Sequence, residues 1–391
     1  MIKYYAIIGG GIIGSAIARE LLLQKKGDVD VFEKESSLGK HASGRNSGVL
    51  HSGINQKPGS LKARMCLEGN RKARTYCLEH NVAMEECGTL VIARNEIEKT
   101  QLEYLRDLGN SVGVECLRII ERDELCEREP EVIADHALFS PHGTIVDSVG
   151  FLKSVADEVK SLGGIYHFNT EVISILPECS TLITNQGPFS FGHIINCAGL
   201  YADKIAHLMN VGLDYVIIPF RGEYYEVKDL HLNSMVYQVP NLKYPFLGVH
   251  LTKAINGEVL AGPNATLSFG RESYEKQINL TETFAMVRKR NFWRLLTRRE
   301  FINLAYHNLR TSFSSRAFLE EIQSITPDVR TKQISSYRSG IRAQMVTREG
   351  KMLDDLVVEY AKDSTHILNA VSPGMTTSLA FAEYIVKNLP P

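Results

Sequence analysis

The sequence has few of the features that mark secreted, membrane-spanning or nucleic-acid-binding proteins. Its seven cysteines form no C-x-x-C pair and are odd in number, which argues against a disulfide framework and against a zinc site. No apolar run approaches the roughly 20 residues of a membrane span, and the first residues lack the pattern of a signal peptide. The formal net charge of -1 gives no general attraction to nucleic acid. We therefore expect a cytoplasmic protein with reduced thiols, no metal site and no nucleic-acid partner.

Length and composition are typical of a globular protein with more than one structural unit. The chain has 391 residues, of which 44% are apolar and 23% are charged. This length exceeds what one small core needs, so we expect two domains or one large domain with an insertion. Because no repeat, low-complexity tract or obvious linker is visible, we expect the domains to be interleaved along the chain.

The first 34 residues contain a nucleotide-binding pattern. A short apolar strand is followed by Gly9-x-Gly11-x-x-Gly14, a helix and a second strand that ends in Glu33. The first glycine permits a tight turn, the second lets a pyrophosphate approach the backbone, and the third lets the helix pack on the strand. The helix N-terminus attracts phosphates, and the carboxylate accepts hydrogen bonds from ribose hydroxyls. Together these features predict a Rossmann-like dinucleotide site.

Three later segments favour FAD over NAD. The polar loop at 43–48 has small residues and amides that can lie along a pyrophosphate and a flavin. One later strand ends in Ala198-Gly199, and Ser372-Pro373-Gly374 precedes another helix. A helix N-terminus aimed at the carbonyl edge of a flavin stabilises the anionic reduced ring. Glycine sites spread this widely along the chain suit FAD better than NAD.

Several segments resemble the D-amino-acid oxidase/glycine oxidase superfamily. The segment 194–203 (I-I-N-C-A-G-L-Y-A-D) is similar to the second flavin motif of that superfamily. Within it, the chain closely resembles the L-2-hydroxyglutarate dehydrogenases/oxidases, and the segments that carry this resemblance span nearly the whole chain: 46–54, 57–63, 87–90, 245–250, 262–265, 340–344 and 372–374. One departure is Arg45, which stands where a histidine is expected in the mammalian members.

The resemblance implies an α/β fold. A Rossmann-like FAD-binding domain would be interleaved with a mixed α+β substrate domain, as in D-amino-acid oxidase. The sequence pattern changes near Asp147, and the strand and helix around Ala198 look like a return to the first domain. We therefore assign 1–85, 145–215 and 335–391 to the FAD-binding domain, and 86–144 and 216–334 to the substrate domain.

The resemblance also implies a reaction. An L-2-hydroxy acid would lose its α-hydrogen as hydride to flavin N5 and its hydroxyl proton to a base, so that L-2-hydroxyglutarate becomes 2-oxoglutarate. A base with a pKa near the working pH points to histidine. His51 and His250 lie in the family segments and are the candidates. The alternatives are hydrogen-bonded structural histidines and, for His51, a covalent link to the flavin.

A dicarboxylate substrate also needs cations. Arg342 lies in a G-I-R segment that resembles the G-L-R segment whose arginine grips the substrate carboxylate in amino-acid oxidases. A guanidinium suits such a bidentate contact. Arg221 is a weaker candidate for the distal carboxylate, and Arg45 and Lys62 are weaker still. The alternative for Arg342 is an ordinary surface ion pair.

The residues expected to contact FAD come from all of these segments. We predict cofactor binding by Gly9, Gly11, Ile12, Ile13, Gly14, Glu33, Lys34, Ser43, Arg45, Asn46, Ser47, Val172, Ala198, Gly199, Arg342, Ser372, Pro373, Gly374, Met375 and Thr376.

A basic stretch at Arg288–Arg299 suggests how electrons could leave. Six basic residues alternate there with aromatic and aliphatic ones on a predicted helix. The stretch also contains the only tryptophan of the chain. Such a helix can lie on an anionic membrane, although a solvated face over a core stripe is the commoner explanation. Membrane contact would suit a dehydrogenase that reduces quinone, whereas an oxidase would use oxygen. The other interpretations are an enzyme acting on glycerol 3-phosphate or an amino acid, and a flavoprotein subunit without turnover.

Overall fold

A computed structural model describes residues 3–240, 248–370 and 372–390. The described residues form eleven α-helices, numbered in chain order as α1 (Ile12–Leu23), α2 (Leu61–Glu79), α3 (Glu96–Val112), α4 (Arg122–Arg128), α5 (Ser148–Ser161), α6 (Ala202–Leu208), α7 (Leu280–Val287), α8 (Arg290–Leu296), α9 (Arg299–Phe313), α10 (Ser315–Gln323) and α11 (Gly374–Lys387). None of these helices is long and apolar enough to cross a membrane.

A six-stranded sheet forms the first layer. Its strands are β1 (Lys3–Ile8), β2 (Gly27–Phe32), β9 (Ile165–His167), β13 (His193–Asn196), β20 (Val357–Ala361) and β21 (Ser364–Asn369). They lie in the order β20-β21-β13-β1-β2-β9, and all pairs are parallel except β20 with β21. Strands buried on both faces need continuous apolar sequence, which explains why Tyr5–Ile8 is buried along its length.

Helices cover one face of this sheet. The buried side chains of α1, α5 and α11 form one apolar cluster with β1 and β2, in which Ile17, Leu21, Phe151 and Phe381 are fully buried. On the other face a small antiparallel sheet packs with α6; its strands are β10 (Val172–Leu176), β11 (Thr181–Thr184) and β12 (Gly187–Ser190). The sheet is therefore covered on both sides, and only its strand ends face the rest of the molecule.

A nine-stranded sheet forms the second large layer. Its strands are β5 (Thr89–Ala93), β6 (Arg118–Glu121), β7 (His136–Ser140), β14 (Val216–Val227), β15 (Met235–Gln238), β16 (His250–Lys253), β17 (Val259–Gly262), β18 (Thr266–Leu267) and β19 (Ile334–Val346). The path is β18-β14-β17-β16-β15-β5-β7-β6, and β19 also pairs with β14. Three short strands, β3 (Val49–Leu50), β4 (Met84–Glu85) and β8 (Thr144–Val146), form a further sheet in the order β3-β8-β4.

The long antiparallel pair β14–β19 sets which side chains share a face. Its register places Phe220 opposite Arg342 and Arg221 opposite Ile341, with a bulge only after Glu223. Because successive side chains of a strand point to opposite faces, Arg342 shares a face with Phe220, whereas Arg221 points to the other face.

The structure differs from the sequence-based expectations at several places. The basic stretch expected on one helix follows the end of α7 and is divided between α8 and α9, because Asn291 donates hydrogen bonds to the carbonyls of Asp214 and Val346 and fixes α8 against β19. Residues 335–346, assigned above to the FAD-binding domain, pair with β14 in the nine-stranded sheet. The family segment 245–250 lies partly outside the described residues, and of it only the end, from Gly248 onward, is described.

Candidate active site and cofactor cavity

A cavity of about 850 Å³ lies where the carboxyl ends of the parallel strands meet the β14–β19 pair. Ile8, Phe32 and Cys197 line it at or just after the ends of β1, β2 and β13, and Arg342 lines it from β19. Ligands of parallel α/β sheets bind outside the carboxyl ends of the strands. This cavity is therefore the candidate site.

The glycine turn is fitted so closely that side chains are excluded from it. Gly9 has φ +106°, and a Cβ on it would lie 2.4 Å from the carbonyl oxygen of Cys197. A Cβ on Gly14 would lie 2.0 Å from the carbonyl oxygen of Gly9. The roles expected for these glycines, a tight turn and close helix–strand packing, agree with this geometry. The carboxylate of Glu33 accepts a hydrogen bond of 3.0 Å from the Gly10 N–H and lines the cavity.

The loop at 43–48 is held in place by its own side chains. Ser43 Oγ accepts a hydrogen bond of 3.0 Å from the Ile12 N–H, so the loop touches the start of α1. Asn46 donates from Nδ2 to the Ser43 carbonyl at 2.8 Å and accepts from the Gly48 N–H at 2.8 Å. Arg338 donates to the carbonyls of residues 44 and 46. The loop therefore offers a fixed wall to a cofactor.

Two glycines in the second half of the chain have open space where a side chain would lie. A Cβ on Gly199 or on Gly374 would meet no atom within 4 Å, and both residues line the cavity. Gly374 is also the first residue of α11, so the unpaired N–H groups of that helix begin at the cavity wall. A close-fitting turn, a carboxylate near it and the N-terminus of a second helix on the same cavity wall are features that suit an FAD molecule.

Most predicted cofactor-binding residues line this cavity, but four candidate residues, the last of them Lys62, do not. Those that do are Gly9, Gly11, Ile12, Ile13, Glu33, Lys34, Ser43, Arg45, Asn46, Ser47, Val172, Ala198, Gly199, Arg342, Ser372, Pro373, Gly374 and Met375. Gly14 lies behind the turn, and Thr376 is fully buried and accepts the His51 N–H at 3.0 Å. The third is His250, which is buried beside the cavity.

One end of the cavity is closed by a charged cluster. Lys34 Nζ lies 2.6 Å from one carboxylate oxygen of Glu35 and 2.6 Å from one of Glu272. His41 Nε2 lies 2.9 Å from the same Glu35 oxygen. Glu35, His41 and Glu272 are close enough together to hold a metal ion, but the ammonium group of Lys34 already supplies a positive charge between the two carboxylates.

His51 lies on the cavity wall, and hydrogen bonds to its backbone hold it in place. Its carbonyl oxygen accepts a hydrogen bond of 3.2 Å from Asn70 Nδ2. Burial is the main cause that lowers the pKa of His51 to about 4, and electrostatic interactions with His250, Arg342 and Lys62 act in the same direction, in that order of importance. At neutral pH the imidazole is therefore uncharged and can accept a proton.

His250 is a second neutral imidazole at this site. Burial is the main cause that lowers the pKa of His250 to about 4; the hydrogen bond to Gly248 acts in the opposite direction, and the positive charge of Arg342 acts in the same direction as burial. Its ring stacks on Tyr237, with centroids 4.3 Å apart and planes inclined by 19°. Because Nδ1 lies 3.0 Å from the Gly248 carbonyl oxygen, Nδ1 carries the hydrogen in the neutral ring and Nε2 is left as an acceptor.

Arg342 and Tyr224 meet on one face of the β14–β19 pair. Burial lowers the pKa of Arg342, and the charges of Tyr224 and Asp354 oppose that effect. Tyr224 also makes a hydrogen bond with Ser47 of the loop at 43–48 and lines the cavity. The sequence analysis missed Tyr224. The signal was the alternation of Phe220, Gly222 and Tyr224 on the face that carries Arg342.

Arg221 and Arg45 line the cavity but do not join the charges that act on His51. Arg45 donates to the carbonyls of Lys40 and Ser339, at 2.9 and 3.3 Å, and stacks over a tyrosine ring at 4.0 Å. Arg221 points to the face opposite Arg342, with Nη2 3.6 Å from Glu223 Oε1. Besides Arg342, the cation that lowers the pKa of His51 is Lys62, ranked last by the sequence analysis together with Arg45.

Comparisons with known proteins agree with this geometry. A family model described as FAD dependent oxidoreductase matches residues 5–388. The L-2-hydroxyglutarate dehydrogenase of Indibacter alkaliphilus is 37% identical over 382 residues, which cover 96% of this chain and 95% of that protein. A protein of the same name from Escherichia coli is 32% identical over 393 residues, covering 98% and 92%.

Solved structures with the same fold include FAD-bound L-α-glycerophosphate oxidase from Mycoplasma pneumoniae, with a TM-score of 0.80, 26% identity, and coverage of 98% of this chain and 94% of that one. Glycine oxidase from Geobacillus kaustophilus has a TM-score of 0.75 at 20% identity, with coverage of 100% and 95%, which shows the fold alone. The predicted fold class and FAD as the cofactor are confirmed. The chain belongs to the FAD-dependent oxidoreductase family that this model describes, and within it to the L-2-hydroxyglutarate dehydrogenases.

Proposed function

We propose that this protein oxidises L-2-hydroxyglutarate to 2-oxoglutarate. The observation that carries the proposal is the meeting of a neutral imidazole, His51, with the guanidinium of Arg342 at the wall of a cavity suited to FAD. When bound, FAD supplies the two-electron oxidant that takes the α-hydrogen as hydride at N5. The names of the curated relatives supply the substrate class.

In this proposal each side chain has a separate task. Arg342 binds the carboxylate next to the reacting carbon, since a buried guanidinium gives two parallel hydrogen bonds to one carboxylate. His51 takes the hydroxyl proton, and its low pKa ensures that the proton is then released to solvent. His250 is the alternative base through its free acceptor Nε2. Arg221 and Arg45 stay as proposed contacts for the distal carboxylate, supported by their position on the cavity wall.

The cofactor-binding residues and the domain division are part of the same proposal. The turn around Gly9 and Glu33 would hold the AMP half of FAD, and the loop at 43–48 with the start of α11 would hold the flavin half. The residue set predicted from the sequence is retained for this role. The two domains would share the cavity, with residues 335–346 counted with the nine-stranded sheet because they pair there.

An anaerobic titration of the bound flavin tests the reaction. We expect L-2-hydroxyglutarate to bleach the oxidised flavin, and the D isomer, glycine and glycerol 3-phosphate to leave it oxidised. His51→Ala should slow bleaching by about 10²–10⁴-fold, the usual worth of a general base, while FAD stays bound. His231→Ala is the matched control, since that histidine is exposed. Bleaching by glycerol 3-phosphate instead would move the proposal to the activity named for the Mycoplasma structure.

We further propose that quinone accepts the electrons at a membrane surface, with oxygen as the alternative. Exposed apolar side chains lie close in sequence to the basic ones at Arg288–Arg299; they are Leu280, Phe284, Trp293 and Ile302. The basic residues would add about 1 kcal/mol each near an anionic surface. Co-sedimentation with anionic vesicles tests this surface. Neutralising Arg288, Arg294 and Arg298 together should release the protein, and unchanged binding would rule this surface out.

A further inference from the structure

The short segment that ends in His51 is in contact with two helices. His51 directly follows β3, and both α2 and α11 contact that strand. The two helices also approach each other closely, because a Cβ on Gly69 of α2 would lie 2.2 Å from the carbonyl oxygen of Thr376 in α11. A side chain at this position would clash, so the close approach requires glycine. The approach brings the side chains of Thr376 and Asn70 to the main chain of His51.

These two side chains bind the main chain of His51 on both sides of its Cα. Thr376 Oγ1 accepts a hydrogen bond of 3.0 Å from the His51 N–H and donates to the carbonyl oxygen of Val49 at 3.4 Å. Asn70 donates from Nδ2 to the carbonyls of Leu50 and His51 at 3.2 Å each. Thr376 and Asn70 are both buried, so these hydrogen bonds form in a medium of low dielectric constant, where they are stronger than in water.

The imidazole of His51 depends on this main chain for its position. Among the described residues, each hydrogen bond to His51 ends on its main-chain N–H or carbonyl group and none on its ring. A side chain without such bonds is placed by its Cα and by the packing around it. A shift of the main chain at His51 therefore moves the ring with it.

The same turn of α11 forms part of the cavity wall. Gly374 and Met375 are the first two residues of α11, and both line the cavity, as His51 does. Thr376 is the next residue and does not line it. One side-chain hydrogen bond, from the His51 N–H to Thr376 Oγ1, thus connects the candidate base to the helix start that would contact the flavin.

We propose that Thr376 is a positioning residue: its hydroxyl holds the main chain of His51 against the start of α11 and so fixes the imidazole relative to the flavin ring. This inference rests on the proposed function, because it takes His51 as the base and the start of α11 as a flavin contact. Asn70 supports the same main chain from its carbonyl side. Since the base and the hydride acceptor act on one substrate carbon, a misplacement of about 1 Å can slow the reaction by about 10²-fold.

The first test removes the hydroxyl and keeps the shape of the side chain. In Thr376→Val we expect flavin reduction at saturating L-2-hydroxyglutarate to slow by about 10- to 100-fold, with the Kd values for FAD and for 2-oxoglutarate unchanged. Thr376→Ser keeps the hydroxyl and should restore most of the rate. Thr377→Val is the matched control, because Thr377 is also fully buried but donates to the Gly374 carbonyl within α11. Equal slowing in the two valine variants would overturn the inference.

The second test combines each substitution with His51→Ala. If Thr376 acts through the imidazole, Thr376→Val should add no further slowing once that ring is absent. The same additional slowing in the double variant would show that the hydroxyl acts on the flavin or on the fold, and the inference would then be wrong. Asn70→Leu, which removes the hydrogen bond on the carbonyl side, should show the same dependence on His51. It decides the question in the same way where Thr376→Val fails to fold.

A third measurement needs no substrate. Exchange of the His51 amide hydrogen with solvent, followed by NMR in the FAD-loaded protein with labelled histidines, reports the hydrogen bond directly. It should be faster in Thr376→Val and at the wild-type rate in Thr376→Ser and Thr377→Val. If L-2-hydroxyglutarate bleaches the wild-type flavin but amide exchange is unchanged in Thr376→Val, the inference fails and the proposed function stands. If exchange is faster but the wild-type flavin is not bleached, the proposed function fails.

Discussion

The two walls of the cavity are built on different principles. At the carboxyl ends of the six-stranded sheet, the decisive positions are glycines, and what matters there is the absence of a side chain. On the other wall, formed by β19 and by the segment that follows β3, the decisive positions are the charged or ring-bearing side chains of Arg342 and His51, whose pKa values are shifted by burial and by neighbouring charges. In the proposed function the cofactor would thus be recognised mainly by backbone shape, and the substrate by side-chain charge. Substitutions in the two walls should therefore have different effects on FAD binding and on flavin reduction.

The largest effect is expected where backbone meets backbone. In Gly9→Ala the new Cβ would lie 2.4 Å from the Cys197 carbonyl oxygen, which no side-chain movement relieves. We expect loss of FAD and destabilisation by about 4 kcal/mol or more, at the upper end for single substitutions. FAD content and urea unfolding measure both.

Gly163→Ala is the matched control. Gly163 also has a positive φ, of 96°, but a Cβ there would meet no atom within 4 Å. It should cost roughly 1–2 kcal/mol of backbone strain and retain FAD. Equal losses of stability and of FAD in the two variants would show that the positive φ, and not the close approach to the Cys197 carbonyl, excludes a side chain from the turn.

A smaller effect is expected at the contact between the two layers. Arg271 donates to both carboxylate oxygens of the buried Asp203, at 2.5 and 2.9 Å, and Asp203 also accepts the Ile217 N–H. Arg271→Met leaves this carboxylate without its cation, which should cost about 3 kcal/mol of unfolding free energy. The additional substitution Asp203→Asn should restore part of the lost unfolding free energy. A double variant no more stable than the single one would mean that the pair contributes packing and not charge.

The smallest effect is expected at the ribose-binding acid. Glu33→Gln keeps an oxygen that can accept the Gly10 N–H but loses the charge, so FAD should bind about tenfold more weakly, or about 1.4 kcal/mol. The rate of flavin reduction at saturating FAD should stay unchanged. Equilibrium titration of the apoprotein and stopped-flow reduction separate the two quantities. A slower reduction would contradict the assignment of cofactor binding to one wall and of the reaction to the other.

The wall that binds the cofactor could be predicted from the sequence because its contacts are close along the chain. The turn, α1, β2 and Glu33 fall within 33 residues, and the structure contains each element within a few residues of its predicted position. The family membership was also available, because the segments that carry it are contiguous. The individual site residues stay predictions, since their roles rest on chemistry that only the experiments above can decide.

The other wall could not be predicted, because its geometry depends on pairing between distant strands. The side chains of Tyr224 and Arg342 are brought together by the register of β14 with β19, which no local pattern specifies. The ion pair of Lys62 with Asp354 could not be predicted for the same reason, since the two residues are 292 positions apart. The division of the basic stretch into short helices depends on contacts of Asn291 with residues 214 and 346.

The link between the His51 N–H and Thr376 Oγ1 has a consequence for biosynthesis. The histidine is made early, but its hydrogen-bond partner lies 325 residues later, in the last helix. Likewise, the central strand β1 gains its second neighbour only when β13 has been made. At roughly 5–20 residues per second, the interval from His51 to Thr376 lasts about 16–65 s. During that time the nascent chain has a nucleotide turn without a finished flavin site, so cofactor loading must largely await the end of translation.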